Sequence, residues 1–240
     1  MNYYEVAVDC PLKQTSFSYS SDELFAEGDL VQVPFGRRKV SGCVLSKEES
    51  YSGDFALKEI TSPHPLQATL EQKRLQLYKW MSRYYHYPLG KLIFDTLPKP
   101  MKKPRPLKSW GKSEITPIQL NQDQESVFEQ LSAKTKNGFD SFLIHGVTGS
   151  GKSVVYLKLM EQMISAGKSV LFLVPEINLT PQFINFFGNH LGGEVYCYNS
   201  SVSASQKYGL WKKLKENSGP CLIIGARSAL FLPINNLGLI

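Results

Sequence analysis

Two rhythms of apolar residues divide the chain. From Met1 to about Leu97 the apolar positions come in short runs, YYEVAV, DLVQVPFG and SGCVLSKE, with turn formers between them. Short runs rich in Val, Tyr and Leu, punctuated by Pro and Gly, predict the strands of a small twisted sheet or barrel. The stretch LEQKRLQLYKWMSRYYHY then changes period. Leu70, Leu75, Leu77, Tyr78, Met81 and Tyr85 recur at helical spacing, so one helix is expected to close this β-rich module.

From about Ile115 onward, helical patterns alternate with unbroken apolar runs. QDQESVFEQLSA reads as a helix and FDSFLIHG as a buried strand. SVVYLKLMEQMISAG reads as a helix that Gly167 stops, and KSVLFLVPE as a second buried strand. TPQFINFFGNH is a helix with Pro181 near its first turn. A strand at EVYCYN, a helix at SASQKYGLWKKLKEN and a strand at PCLIIGA complete the pattern. Strands alternating with helices predict an α/β fold, a parallel sheet with helices on both faces.

Between the two regions lies PKPMKKPRPLKSWGK. It carries Lys99, Lys102, Lys103, Arg105, Lys108 and Lys112 and no acid. Its prolines exclude regular helix and central strand. It is expected to be a solvated, extended linker whose cations could also follow a nucleic-acid backbone. The expected domains are thus 1–97, a linker at 98–114, and 115–240.

Composition adds bounds. The 240 residues include 42% hydrophobic and 20% charged positions, ordinary for a folded globular chain, and the formal net charge is +6, which favours an anionic partner. The four cysteines, Cys10, Cys43, Cys197 and Cys221, form no C-x-x-C pair and have no histidine at zinc-ligand spacing. That usage suits a reducing cytoplasm, with Cys43 and Cys221 packing as small hydrophobes. No signal peptide and no bilayer-spanning stretch is expected, so no membrane partner.

The most specific motif is Gly146-Val147-Thr148-Gly149-Ser150-Gly151-Lys152-Ser153, a full match to G-x-x-x-x-G-K-[ST] between an apolar run and a helix. Glycines let backbone N–H groups turn inward around phosphate oxygens, and the helix N-terminus adds a positive dipole end. Lys152 suits the β- and γ-phosphates, and the Ser153 hydroxyl suits Mg²⁺. The motif points to ATP or GTP. A guanine-reading N-K-x-D segment is absent from the sequence, which argues against a GTPase.

Further segments carry a resemblance. LFLVPEINLTPQF at Leu171 to Phe183 and IIGARSALFLP at Ile223 to Pro233, together with the phosphate loop, resemble the first motifs of superfamily 2 helicases, in the form found in the PriA family of replication-restart helicases. LNQDQ at Leu120 to Gln124 is similar to the adenine-reading segment. PLKQTSFSY, VPFGRR and YYHYPLGKLIFDTLP resemble the family's DNA-binding module, which captures the 3′ end of a nascent strand at a fork. The resemblance implies a RecA-like P-loop lobe preceded by a small β-rich DNA-binding domain, an ATP-dependent 3′→5′ DNA helicase, and ATP with Mg²⁺ as cofactors. DNA, single-strand DNA-binding protein and other primosome proteins are the implied partners.

The resemblance also assigns residues. Gln124 would read adenine through its amide. Pro175, Glu176 and Gln182, and Arg227 with Ser228, would meet DNA from loops at the end of the sheet. Phe17, Ser18, Gly36 and Lys58 would hold the 3′-terminal nucleotide, by stacking, close backbone approach and charge. Ser18 departs from the family, which often has an acidic residue there; serine offers a weaker, neutral contact. Well-known members carry a winged-helix domain between the two regions; here only the Pro/Lys stretch separates them, so that domain is expected to be absent or to sit elsewhere. The D-E-x-H box, the second motor lobe and the cysteine-rich zinc segment would lie beyond Ile240, so zinc is expected only there. As it stands, the chain is expected to be a truncated fragment that binds DNA and hydrolyses ATP negligibly. The competing expectation is a fork-DNA-binding module without motor activity.

Overall fold

The computed structural model describes all residues except 13–15, 54, 113, 135–137, 176–179 and 217–218. It separates into two compact units, Met1–Pro100 and Met101–Ile240.

In the first unit, β1 (Asn2–Val8), β2 (Phe17–Ser21), β3 (Leu30–Phe35), β4 (Arg38–Glu48) and the two-residue β5 (Ser62–Pro63) form one antiparallel sheet ordered β2-β1-β4-β3-β5. The sheet curls closed. Residues 58–64 cross from one open edge to the other: Ser20 N–H donates to Lys58 O and Ile60 N–H to Ser20 O on β2, while Thr61 N–H donates to Gln32 O and His64 N–H to Leu30 O on β3. Closure leaves few backbone groups of either edge unpaired. Alternation then fixes the interior, because every second side chain points inward. Tyr4, Val6, Val8, Tyr19, Val31, Val33 and Val44 fill it, with Phe17 and Phe35 packed at the margin.

Two helices, where one was expected, pack on this unit: α1 (Gln72–Tyr84) and α2 (Leu89–Thr96). Helix α2 leaves no clear period in the sequence, because eight residues hold barely two turns. The apolar stripe of α1 also divides. Leu75 and Tyr78 are buried, whereas Leu77 and Tyr85 face water. Cys43 is fully buried, and burial pushes its thiol up to about 12.

In the second unit, four strands run parallel in the order β7-β8-β6-β9: β6 (Ser169–Leu173), β7 (Glu194–Tyr198), β8 (Cys221–Gly225) and β9 (Leu237–Leu239). Helices α3 (Gln122–Lys134), α4 (Lys152–Ser165), α5 (Thr180–His190) and α6 (Ala204–Lys215) accompany them. One face of the sheet, carrying Val170, Val174, Val195, Leu222 and Ile224, packs against Leu157, Met160 and Met163 of α4 and Ile184 and Phe187 of α5. The opposite face presents Tyr196 and Tyr198. There Lys213 of α6 donates to the Tyr196 hydroxyl at 2.6 Å, and Lys207 lies over the Tyr198 ring at 5.6 Å. The α/β expectation, a parallel sheet with helices on both faces, is met.

Two local expectations are not met. The apolar run at 139–146 forms no strand among the described residues. Phe139 and Leu143 are 100% and 89% exposed, and only Ile144 packs inward, against the cluster of Leu131, Val155 and Leu159. A parallel strand needs a neighbour long enough to share a ladder, and β9, at the end of the sheet, offers only three residues.

The basic stretch is solvated and extended, but it is not a free linker. Within the second unit it lies along the open edge of β7 as a strap. Trp110 N–H donates to Val195 O at 2.8 Å, and Val195 N–H donates to Ser109 Oγ at 3.2 Å. Farther along, Arg105 N–H donates to Ser205 O, Lys112 N–H to Gly188 O and Thr116 N–H to Asn189 O. Glycines in two helices admit the crossing. A methyl at Gly209 would stand 2.1 Å from Arg105 O, and one at Gly188 would stand 2.7 Å from Trp110 O. The charged side chains stay in water while the backbone is tethered to β7, α5 and α6.

His64 sets a pH limit on the first unit. It is 5% exposed, its Nδ1 accepts from Leu66 N–H at 3.1 Å, and its Nε2 therefore donates to Ser41 Oγ at 3.1 Å. Burial holds its pKa below the ordinary 6.5, and the amide aimed at Nδ1 also favours the neutral ring. The unfolded chain thus takes up the proton at higher pH than the folded chain. The stabilisation is complete above 6.5 and is lost as pH falls through the folded value. Urea unfolding of the first unit should shift to lower denaturant between about pH 7.5 and about pH 5.5, and His64→Gln should flatten that shift.

Candidate functional site

The phosphate-loop residues are brought together by the turn into α4. Gly149 and Gly151 take positive φ values of 83° and 78°, which side chains with a Cβ resist. Gly151 caps the helix without any side-chain hydrogen bond to the first turn. The amides of Lys152 and Ser153 thus begin the helix without a capping acceptor, as an anion site requires. Lys152 Nζ reaches back across the loop and donates to Gly146 O at 2.7 Å and Val147 O at 3.0 Å. Its ammonium therefore sits over the loop itself. Gln124, at the start of α3, is beside the same turn. Its Nε2 donates to Ser150 O at 3.3 Å and its Oε1 accepts from Asn121 N–H at 3.0 Å. Both ends of the amide are engaged, so reading a base requires Nε2 to leave Ser150 O. Val147 is 78% exposed at the outer rim.

These residues fit a nucleotide phosphate and its Mg²⁺: two left-handed glycines, an uncapped helix start, one ammonium and the Ser153 hydroxyl. Among the described residues no group of three His, Cys, Asp or Glu side chains is placed to hold a metal by itself. A metal here would depend on Ser153 and on the phosphates.

The sheet aligns the other candidates. Leu173 pairs with Gly225, and Gly225 with Tyr198, so three strands end level. Because only a short turn joins the end of α4 to β6, α4 runs back along the sheet and its start lies at this same carboxyl edge. Pro175, exposed, leaves β6 here; Arg227 and Ser228, both exposed, open the 3₁₀ turn Arg227–Phe231 that follows β8. Gln182 is exposed in the first turn of α5. Glu176 lies outside the described residues.

In the first unit, Phe17, Gly36 and Lys58 meet at one end of the barrel. Lys58 Nζ donates to Gly36 O at 3.3 Å. Phe17 stands edge-on to Phe35 at 5.1 Å and is only partly buried, between a core aromatic and an open face. Gly36 has φ 59° and open space where a Cβ would be. Ser18 is not part of this group: the alternation along β2 turns it to the outer face, exposed. Directly across the ladder from Ser18 is Glu5, whose carboxylate accepts from the Ser16 and Ser46 hydroxyls. A carboxylate therefore stands on the Ser18 face from the neighbouring strand. Glu5 was not singled out in the sequence because cross-strand register is invisible there.

Gly225 holds the level ends together. A methyl there would stand 2.7 Å from Tyr198 O and 2.6 Å from Ala229 Cβ. Gly225→Ala should lower the unfolding free energy of the second unit by roughly 1–3 kcal/mol, measured by chemical denaturation.

Comparison with known proteins follows this division. Residues 5–98 match the 3′DNA-binding domain (3′BD) family of PriA, and residues 117–232 match the family described as type III restriction enzyme, res subunit. The replication restart protein PriA of Treponema pallidum is 34% identical over 251 residues, covering 99% of this chain and 37% of that protein. The PriA of Rickettsia conorii is 36% identical over 219 residues, covering 89% and 32%. That of Bacillus subtilis is 40% identical over 134 residues, covering 55% and 16%. The chain thus spans about a third of the length of the curated relatives that it matches along most of its own. Among the described residues no helix is long and apolar enough to cross a membrane.

Proposed function

The chain belongs to the PriA family of replication restart proteins, and on that premise we propose that it serves an ATP-dependent 3′→5′ DNA helicase acting at stalled or repaired forks to restart replication. The observation that carries the reading is the shared carboxyl edge of the parallel sheet. The start of α4, with Lys152 and Ser153, and the loops bearing Pro175 and Arg227 all open there.

At that edge Lys152 would exchange its bonds to Gly146 O and Val147 O for phosphate oxygens. Ser153 would ligate Mg²⁺, and Gln124 would turn its amide from Ser150 O to the adenine edge. Bound ATP supplies the phosphoanhydride whose cleavage moves a motor. Pro175, Glu176, Gln182, Arg227 and Ser228 would meet the DNA strand. At the barrel, Phe17 would stack on the 3′-terminal base, Gly36 would admit close backbone approach, and Lys58 would meet phosphate. Glu5, beside Ser18, would supply an acceptor that serine alone offers weakly. Single-strand DNA-binding protein and other primosome proteins are the proposed partners of the whole protein.

A labelled fork with a free 3′-OH leading-strand end should bind this chain more tightly than one with a 3′-phosphate. Phe17→Ala should erase that preference, costing about tenfold in affinity if one base stack is lost. Equal binding to both ends, weakening only with salt, would remove the end-reading role. Independently, unlabelled ATP should displace a fluorescent ATP analogue where GTP does not, and Lys152→Ala should abolish the displaceable signal. Equal competition by GTP would count against Gln124 as the adenine reader.

A further inference from the structure

The strap along β7 carries five cations, Lys102, Lys103, Arg105, Lys108 and Lys112, all exposed. The ion pairs of the described residues engage other cations: Lys79, Lys91, Lys158, Lys212, Lys213 and the chain's amino group. None of the five has a carboxylate partner there. A free tail would hold them in a diffuse cloud, but this backbone is fixed. Arg105 N–H is held by both Ser205 O and Ser205 Oγ, the Ser205 hydroxyl donates to Lys103 O, and Ser109, Trp110 and Lys112 bond to β7 and α5. Lys108 Nζ lies 3.9 Å above the Trp110 ring, which steadies a fourth position.

The surroundings do not cancel this charge. Glu194 is taken by Lys213 and Glu216 by Lys212; Glu114 stands beyond Lys112 at the strap's end. From Lys103 to Lys112 an extended chain reaches up to about 30 Å, while a duplex presents one negative charge per roughly 1.7 Å of axis. Fixed, unpaired and spaced cations of this kind suit a long polyanion better than a small anion. Nothing in the phosphate loop or the barrel end uses them.

We propose that the docked strap is a second DNA-contact track, gripping the phosphodiester backbone through Lys103, Arg105 and Lys108 while β7, α5 and α6 hold it in place. The proposal rests on the DNA-binding reading above and not on capture of the 3′ end. It gives the second unit a sequence-independent grip of its own. Pre-fixed cations lose less freedom on binding than those of a floppy tail, so the strap's docking is part of the site.

The test uses the full 240-residue chain and plain duplex and single-stranded oligonucleotides across a salt series. Lys103→Gln, Arg105→Gln and Lys108→Gln combined should weaken binding and reduce the slope of log K against log salt by about 2 to 3 units on duplex, at roughly 0.9 for each phosphate no longer neutralised. The preference for a free 3′-OH should persist in that variant. Gly209→Ala keeps every charge and drives a methyl into Arg105 O; it should lose most of the same slope and expose the strap to trypsin. An unchanged slope in the triple variant overturns the proposal. So does a triple variant that weakens while Gly209→Ala, with its strap cut by trypsin, binds as the parent does, since the cations then act without docking. If the parent chain binds no DNA at low salt, the DNA-binding reading falls and the strap proposal falls with it. If the 3′-OH preference alone is absent, end capture falls and the strap result still decides this inference.

Discussion

A fully buried strand must satisfy its backbone on both sides, and β8 is the strand on which the second unit turns. Cys221 to Gly225 are buried throughout and bond in parallel to β6 on one side and β7 on the other. Unpaired amides at that depth would each cost on the order of a few kcal/mol, so the register is held tightly. Its consequence is the level carboxyl edge. With Leu173, Gly225 and Tyr198 side by side, the chain must turn outward at three neighbouring points. Helix α4, returning antiparallel, brings its uncapped start to the same side. The chemistry of the site is a by-product of this constraint.

The first unit answers the same constraint differently. An antiparallel sheet of short strands exposes two edges, and residues 58–64 bond to both. That crossing carries Lys58 to the β3–β4 turn, where it meets Gly36 O. The functional group is again placed by the need to finish a sheet. Phe17 shares in this, since its inward position in β2 sets it against Phe35 rather than out in water beside Ser18.

These two arrangements explain what could be read from the sequence. The phosphate loop was legible because its glycines and lysine act locally, within one turn. Strands β6 and β8 were legible as unbroken apolar runs, and α4 from its period and from Gly167. Helix α2 was too short to show a period. Glu5 could not be found because its importance lies in facing Ser18 across a ladder, a relation between positions 13 residues apart. The run at 139–146 misled in the opposite direction. Its composition is that of a buried strand, yet composition cannot supply a neighbour, and Leu143 stays in water.

The strap shows most clearly where residue-by-residue reading ends. Its own letters, five cations among prolines, describe a solvated chain, and the side chains are indeed solvated. Its backbone is governed by residues far away. Val195 on an open edge needs bonding partners, and two helix glycines, Gly188 and Gly209, leave room for a crossing main chain. A helix interior loses about 1 kcal/mol with glycine relative to alanine. Two such positions, both beneath the strap, offset that cost only if the crossing itself stabilises the fold. Side chains and backbone of one segment therefore answer to different partners: the backbone to the sheet, and the cations to whatever anion approaches the surface. A segment that joins two units by composition is, by hydrogen bonding, fastened to the sheet edge and helices of one of them.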